Sequence, residues 1–218
     1  MQGIDALAER LRRLHTALLS DVLDALGHRV GVMDFQVRPL AGPAQVVGRA
    51  FTFESSPISA PEPVPYEQLL AGYRFMSPGD VVVLATNGET RSGIWGELLS
   101  VAARARGAVG AVTDGLTRDV EPIERMGFPV FARGASPLDS AGRQAVRAFG
   151  RPVVCAGVEV HPGDLVFGDV MGVIVIPAEL AEEAAGLAEE KNAGEDRVRL
   201  ELERGDDPAD VFERYGIL

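Results

Sequence analysis

An α/β fold, with parallel strands joined by a helix and a helical C-terminal segment, is what the hydrophobic pattern of this chain predicts. Two short apolar runs rich in β-branched residues, Asp80–Ala85 (DVVVLA) and Ala108–Thr113 (AVGAVT), read as buried parallel strands. Between them Ile94–Ala105 carries Leu98, Val101, Ala102 and Ala105 at helical spacing, and Gly107 stands where a helix stops. From Ala178 to Glu203 the composition shifts to Ala, Glu and Arg, which suits one long helix.

The remaining elements follow in chain order. Ile4, Leu7, Leu11, Leu14 and Leu18 form one apolar face of a first helix, and Ser20 is placed to cap a second that ends at Gly27. Ala44–Phe53 (AQVVGRAFTF) reads as a strand. The segment ESSPISAPEPVPYEQLL, starting at Glu54, opens as a proline-rich loop that either borders a pocket or wraps a subunit edge. Strands are expected near Val130 and at Val153–Cys155, a turn at His161–Asp164 (HPGD), and a strand pair at Leu165–Gly168 and Gly172–Ile176. Short strands separated by turns suit a small β-sandwich or barrel flanked by helices. The Ala178–Glu203 helix has almost no large apolar residue before Val198, so it is expected to project and pack across a subunit interface. One domain spanning 1–218 is expected, with 178–218 as a helical extension.

The chemistry concentrates in NGETRSGIWGELLSVAARARGAVGAVTDGLTRD, Asn87 to Asp119. Parallel strands joined by a helix put their exit loops on one edge of the sheet, where ligands of α/β proteins usually bind. The first turn around Gly96, Glu97, Leu98 and Leu99 offers N–H groups without intrahelical acceptors, a place for a carboxylate or phosphate. Arg118 supplies a fork of donors for a carboxylate or a polarised carbonyl, and Asp119 is a hard oxygen ligand of the kind that holds magnesium together with water. The same residues also admit a plain structural role. Asp119 or Thr117 then caps the helix starting near Val120, Arg118 pairs with Asp114, and Gly96 is a turn.

The run GIWGELLSVAARARGAVGAVTDGLTRDVEPIERMGFPVFARG, followed by VEVHPGDLVFGDVMGVIVIP, resembles the RraA-like family, and within it the 4-hydroxy-4-methyl-2-oxoglutarate aldolase branch. The resemblance extends from Ser20–Gly27 (SDVLDALG) to the Val211–Gly216 ending (VFERYG). It implies a swivelling β/β/α, phosphohistidine-domain-like fold and a pyruvate aldolase dependent on a divalent cation, Mg2+ or Mn2+. It also implies that the backbone of Gly96, Glu97, Leu98 and Leu99 receives the pyruvyl carboxylate, that Arg118 contacts the substrate, and that Asp119 holds the metal. Glu97 sits where the family has an acidic residue that hydrogen-bonds metal-bound water. A glutamate from a neighbouring subunit's C-terminal helix completes the family's site; aligned on Gly205, Glu195 is the candidate here, with Glu189 and Glu190 close by. Homotrimers or hexamers are implied too. Cleavage of a 4-hydroxy-2-oxo acid leaves pyruvate enolate, and oxaloacetate losing carbon dioxide gives the same enolate, so decarboxylase activity is expected. The only lysine of the chain, Lys191, lies far from the motif, so Schiff-base chemistry is not expected.

Composition narrows the alternatives. A net charge of −11 argues against nucleic-acid binding, which needs a basic surface. Cys155 is the sole cysteine, no run is long and apolar enough to span a bilayer, and the N-terminus lacks a secretory apolar core, so a cytoplasmic protein is expected. His15, His28 and His161 are scattered, which disfavours zinc, and His161 reads as a turn residue. Trp95 either lines a pocket mouth or packs beside a helix start, the commoner role of a lone aromatic there. No GxGxxG following a strand, P-loop or GxSxG elbow occurs, and the methyltransferase label attached to some relatives finds no cofactor loop here. The competing reading is a non-catalytic regulator that binds a ribonuclease through an acidic surface.

Overall fold

In the computed structural model, residues 2–217 are described, with side chains from residue 6 onward; Ile4 of the expected apolar face lies outside the described side chains. The chain begins with α1 (Gln2–Leu11) and α2 (Thr16–Ala25), then β1 (Arg38–Ala41), β2 (Val46–Pro57), α3 (Glu67–Tyr73) and β3 (Asp80–Ala85). Next come β4 (Gly93–Trp95), α4 (Glu97–Ala105), β5 (Gly110–Thr113), β6 (Leu116–Thr117), α5 (Val120–Met126), β7 (Val130–Ala132) and β8 (Gly134–Ala135). The last third holds β9 (Gln144–Phe149), β10 (Val153–Cys155), β11 (Val158–Val160), β12 (Leu165–Asp169) and β13 (Gly172–Ile176). It ends in α6 (Ala181–Glu203), reached through a 3-10 turn, and α7 (Pro208–Tyr215).

The main sheet runs β1-β7-β5-β3-β2-β12-β13, with β9 also pairing β2. Its centre, β2, β3, β5 and β7, is parallel, and β12 and β13 close one side as an antiparallel hairpin. All six residues of β3 are buried, as expected for a strand covered on both faces. On one face α1, α2 and the start of α6 bury Leu11, Leu19 and Leu23 against Phe167 and Ile174; on the other, Phe53, Trp95, Ile123 and Phe128 make a second core. A small parallel sheet, β4-β6-β8, stands beside the main one. This is the β/β/α arrangement expected. Among the described residues no helix is long and apolar enough to cross a membrane.

Two local expectations need correction, the cap of α2 and the projection of α6, and the face that α4 buries is now defined. Ser20 does not cap α2: His15 does, its Nδ1 accepting from Leu18 N at 3.2 Å, and the helix starts at Thr16. The break after Leu11 leaves the apolar face continuous, since Leu7, Leu11, Leu14 and Leu18 are all buried. The apolar stripe of α4 faces outward, with Leu98 79% and Val101 43% exposed, while Ser100 and Ala103 are buried. Small residues let α4 sit close to the core, and Trp95 fills the remaining space with its Nε1 donating to Ser100 Oγ at 2.8 Å. The first half of α6 does not project; Ala184, Ala185 and Ala188 are fully buried in the core that α6 shares with α1 and α2. Alanine lets two helices approach closely without large apolar side chains.

Candidate active site

The edge of the sheet expected to carry ligands is built by β4-β6-β8, which the sequence suggested only as polar loops. Arg118 N donates to Trp95 O at 2.8 Å, and this pairing sets Arg118 and Asp119 beside Gly96, the residue that precedes α4. Asp119 has φ 56° and ψ 39°, a left-handed conformation that costs most residues energy but that aspartate tolerates. It precedes α5 as a cap would, yet its side chain makes no capping bond there. Asp119 Oδ2 instead accepts from Glu97 N at the start of α4, at 3.2 Å, and Oδ1 accepts from Arg118 Nε at 3.3 Å. Gly96 is required by this approach, because a Cβ there would stand 2.7 Å from Asp119 Oδ2 and 2.9 Å from Arg118 Cγ.

Arg118 does not pair with Asp114. Its Nη1 meets Asp139 Oδ2 at 3.2 Å, so the guanidinium lies between two carboxylates. Asp119 first, and Asp139 after it, push the Arg118 guanidinium above its ordinary value and keep it charged. Asp139 is held below the usual carboxylate range, chiefly by the Ala141 N–H it accepts and then by Arg118. Asp114 is buried instead as a structural acceptor, taking Thr86 N at 2.6 Å, Thr86 Oγ1 at 2.8 Å and Gly88 N at 3.0 Å. Thr117 Oγ1 bonds Trp95 O and caps nothing.

These groups open on a cavity of about 500 Å3. Gly96, Leu98, Leu99, Arg118 and Asp119 line it. The Glu97 side chain does not, and it joins the site only through its backbone N–H. Glu189, Glu190 and Glu195 are likewise absent from the cavity of their own chain; Glu195 lies 3.5 Å from Lys191, and Glu189 is bound to Arg10. Trp95 is buried packing and also touches the cavity wall. The proline-rich loop borders the pocket through Ile58, Pro61 and Pro65. Sequence reasoning missed Asp139, Gln144 and Tyr73. Gln144 is buried with Nε2 donating to Ser92 O at 3.0 Å and Ser92 Oγ at 2.7 Å, and its Oε1 has no partner among the described residues. Burial pushes the Tyr73 phenol well up, and its neutral hydroxyl donates to Leu99 O at 3.0 Å, bracing the first turn of α4.

Residues 16–175 match the family model for RraA-like proteins, described as Aldolase/RraA. The chain belongs to the RraA-like family. It is 32% identical over 190 residues, 86% of this chain and 84% of the other, to a Halalkalibacterium halodurans protein provisionally named 4-hydroxy-4-methyl-2-oxoglutarate aldolase. A crystal structure of Streptomyces coelicolor RraAS2, described as an unusual member of the RNase ES inhibitor RraA protein family, superposes with a TM-score of 0.81 at 30% identity. That likeness covers 89% of this chain and 97% of the other. An uncharacterised protein of Pseudomonas syringae pv. tomato gives the same TM-score at 28% identity, over 95% of this chain and 96% of the other.

The donor set decides which ion could suit this RraA-like site. No cluster of three or more His, Cys, Asp or Glu able to hold a metal occurs among the described residues. Three carboxylates line the cavity, Asp119, Asp139 and Glu62, and of these Asp119, a third exposed, stands against the first turn of α4. Hard oxygen from a single carboxylate, completed by water and ligand oxygens, fits magnesium or manganese and does not fit a closed zinc or calcium cage.

Proposed function

We propose that this chain is a divalent-cation-dependent carbon–carbon lyase that cleaves 4-hydroxy-2-oxo acids such as 4-hydroxy-4-methyl-2-oxoglutarate to pyruvate and also decarboxylates oxaloacetate. The observation that carries this reading is the convergence of Arg118, Asp119 and the first turn of α4 on one cavity. The provisional aldolase name of the Halalkalibacterium relative supports it.

In this reading Asp119 holds the cation, which when bound supplies Lewis-acid stabilisation of charge developing on the 2-keto oxygen. The Leu98 and Leu99 N–H groups lie in the first turn of α4, where no intrahelical acceptor exists, and they take the substrate carboxylate with help from the helix dipole. Arg118 spends one donor on Asp119 and one on Asp139; three of its five N–H groups remain for the substrate. They orient the 2-oxo acid and stabilise charge on its oxygen, and losing one such donor typically costs about 2.7–4 kcal/mol of transition-state stabilisation. Glu97 contributes its backbone N–H, which holds Asp119 Oδ2, and its side chain stands outside the cavity. As the C3–C4 bond breaks, the electron pair moves to C3 and the 4-hydroxyl proton passes to a base; protonation of C3 then gives pyruvate. Lys191 sits on α6 paired with Asp21, so imine formation has no amine in the cavity.

A neighbouring copy is part of the proposal. Leu98 at the cavity and Val101 three residues on along α4 leave an exposed apolar strip that a second subunit of a trimer or hexamer would cover, and Glu195 on the far half of its α6 is the candidate to reach in. A second reading is favoured by the likeness to RraAS2: a regulator that docks on a ribonuclease without catalysis. Pyruvate formation from oxaloacetate and from 4-hydroxy-4-methyl-2-oxoglutarate, with Mg2+ or Mn2+, separates the two. Metal-dependent turnover is expected; inertness toward both substrates would refute the lyase and favour the docking protein.

A further inference from the structure

We propose that this site selects 4-hydroxy-2-oxo acids whose carbon 4 carries an apolar group of about the size of a phenyl ring, and that it disfavours a second carboxylate at that position. This rests on the lyase reading for what happens at the polar end of the cavity, and names the substrate class for its other end.

Size is the first argument. A cavity of about 500 Å3 falls in the range of about 300–1,000 Å3 that holds drug-sized ligands, so a four-carbon oxaloacetate leaves much of it to water. The second is the chemistry of the walls. Residues 58–73 and β9 supply Ile58, Tyr66, Leu69, Leu70, Tyr73 and Val146, an apolar lining with aromatic faces. Water against such a lining is displaced favourably by an apolar or aromatic group. Pro61 and Pro65 hold the loop side of that wall in a restricted backbone, so the space is largely formed before a ligand arrives.

Charge is the third argument. Among the lining residues Arg118 is the only cation, and it is already set between Asp119 and Asp139, while Glu62 adds a third carboxylate. Arg147 does not line the cavity, and its guanidinium is engaged by Glu62 Oε1 at 3.3 Å and Ser56 Oγ at 3.0 Å. With the substrate's own 2-oxo acid end taking the free donors of Arg118 and α4 and the cation of the lyase reading, a second carboxylate finds acidic neighbours and no unshared cationic side chain. Gln144 marks where polar and apolar lining meet: it lies on β9 next to Ala145 and Val146, and its buried Oε1 lacks a donor that a ligand hydroxyl would supply. Cleaving 4-hydroxy-2-oxo-4-phenylbutanoate there breaks C3–C4, moves the hydroxyl proton to a base, and returns a proton to C3, giving benzaldehyde and pyruvate with no other reactant.

The test pairs binding with turnover on the full chain in Mg2+. Calorimetry compares 2-oxo-4-phenylbutanoate with 2-oxoglutarate, neither of which has the hydroxyl needed for cleavage. Pyruvate release compares 4-hydroxy-2-oxo-4-phenylbutanoate with 4-hydroxy-4-methyl-2-oxoglutarate, and oxaloacetate decarboxylation reads the lyase chemistry without any tail. The phenyl ligand is expected to bind at least about tenfold tighter, and its hydroxy acid to be cleaved with at least about tenfold higher kcat/KM. Leu70→Asp, at a half-exposed position, is expected to cut that preference at least about fivefold. Oxaloacetate turnover with equal or tighter binding of 2-oxoglutarate overturns this inference and leaves the lyase standing. Phenyl preference in calorimetry with no turnover of oxaloacetate or of either hydroxy acid supports the apolar pocket and overturns the lyase. A preference untouched by Leu70→Asp also overturns the assignment of this wall.

Discussion

Replacing Gly96 by alanine probes how Asp119 is held. The added Cβ would stand 2.7 Å from Asp119 Oδ2, so the carboxylate must retreat by roughly 0.7 Å to reach an ordinary van der Waals contact near 3.4 Å. The 3.2 Å hydrogen bond from Glu97 N is then lost. The backbone at Gly96 is extended (φ −165°), so alanine itself is not strained there. A hydrogen bond to a charged group is worth about 1.5–3 kcal/mol, and less at this partly exposed position, so a stability loss of about 1 kcal/mol is expected. For a chain of this size that lowers the melting temperature by about 2–4 °C. Activity should suffer far more, because misplacing a catalytic group by about 1 Å costs roughly 100-fold, or about 2.7 kcal/mol of transition-state stabilisation. The assay is kcat/KM for oxaloacetate decarboxylation in Mg2+ beside thermal unfolding by circular dichroism. A folded Gly96→Ala protein with activity within twofold of wild type would show that the Asp119–α4 contact does not organise the reaction.

Other perturbations separate the working groups from the structural ones. Arg118→Lys keeps the charge but loses the planar fork, and KM for oxaloacetate should rise at least about tenfold with melting little changed; an unaltered KM removes Arg118 from substrate binding. Asp114→Ala strands the buried Thr86 and Gly88 donors at about 1–3 kcal/mol each, so the melting temperature should fall by roughly 5–15 °C. Loss of activity at 25 °C without that destabilisation would return Asp114 to the chemistry. Because Asp139 titrates below its ordinary range when folded, its contribution to stability is present above the ordinary carboxylate value and fades as pH falls through the lowered folded value. Asp139→Asn should therefore flatten the acid side of a stability–pH curve; a curve that keeps its wild-type slope refutes that pairing.

Burial on both faces made β3 and β5 legible, since a strand covered on two sides must be apolar throughout. The strands of the small sheet are only two or three residues long and sit inside polar segments, so no periodicity announces Gly93–Trp95, Leu116–Thr117 or Gly134–Ala135. A stripe of Leu98, Val101, Ala102 and Ala105 identifies α4 as a helix, but cannot say whether the stripe meets the core or another surface. Here Trp95 and the small Ser100 and Ala103 take the core side. Gly96, Arg118 and Asp119 were legible because the motif is contiguous and the β4–β6 pairing needs only neighbouring crossovers. Asp139 and Gln144 arrive from a later loop and β9, and Asp114 rather than Asp139 looked like the partner of Arg118 because it is nearer in sequence. Loop routing, which local pattern does not encode, decides that choice.

The most direct test of the central claim is pyruvate release from oxaloacetate by wild type and Asp119→Ala, each with Mg2+ or Mn2+, with chelator, and after metal is restored. The account predicts turnover in the wild type that chelator abolishes and metal recovers, and none above background in a folded Asp119→Ala. Turnover that survives in Asp119→Ala at the wild-type rate would contradict it and remove Asp119 from the cation site.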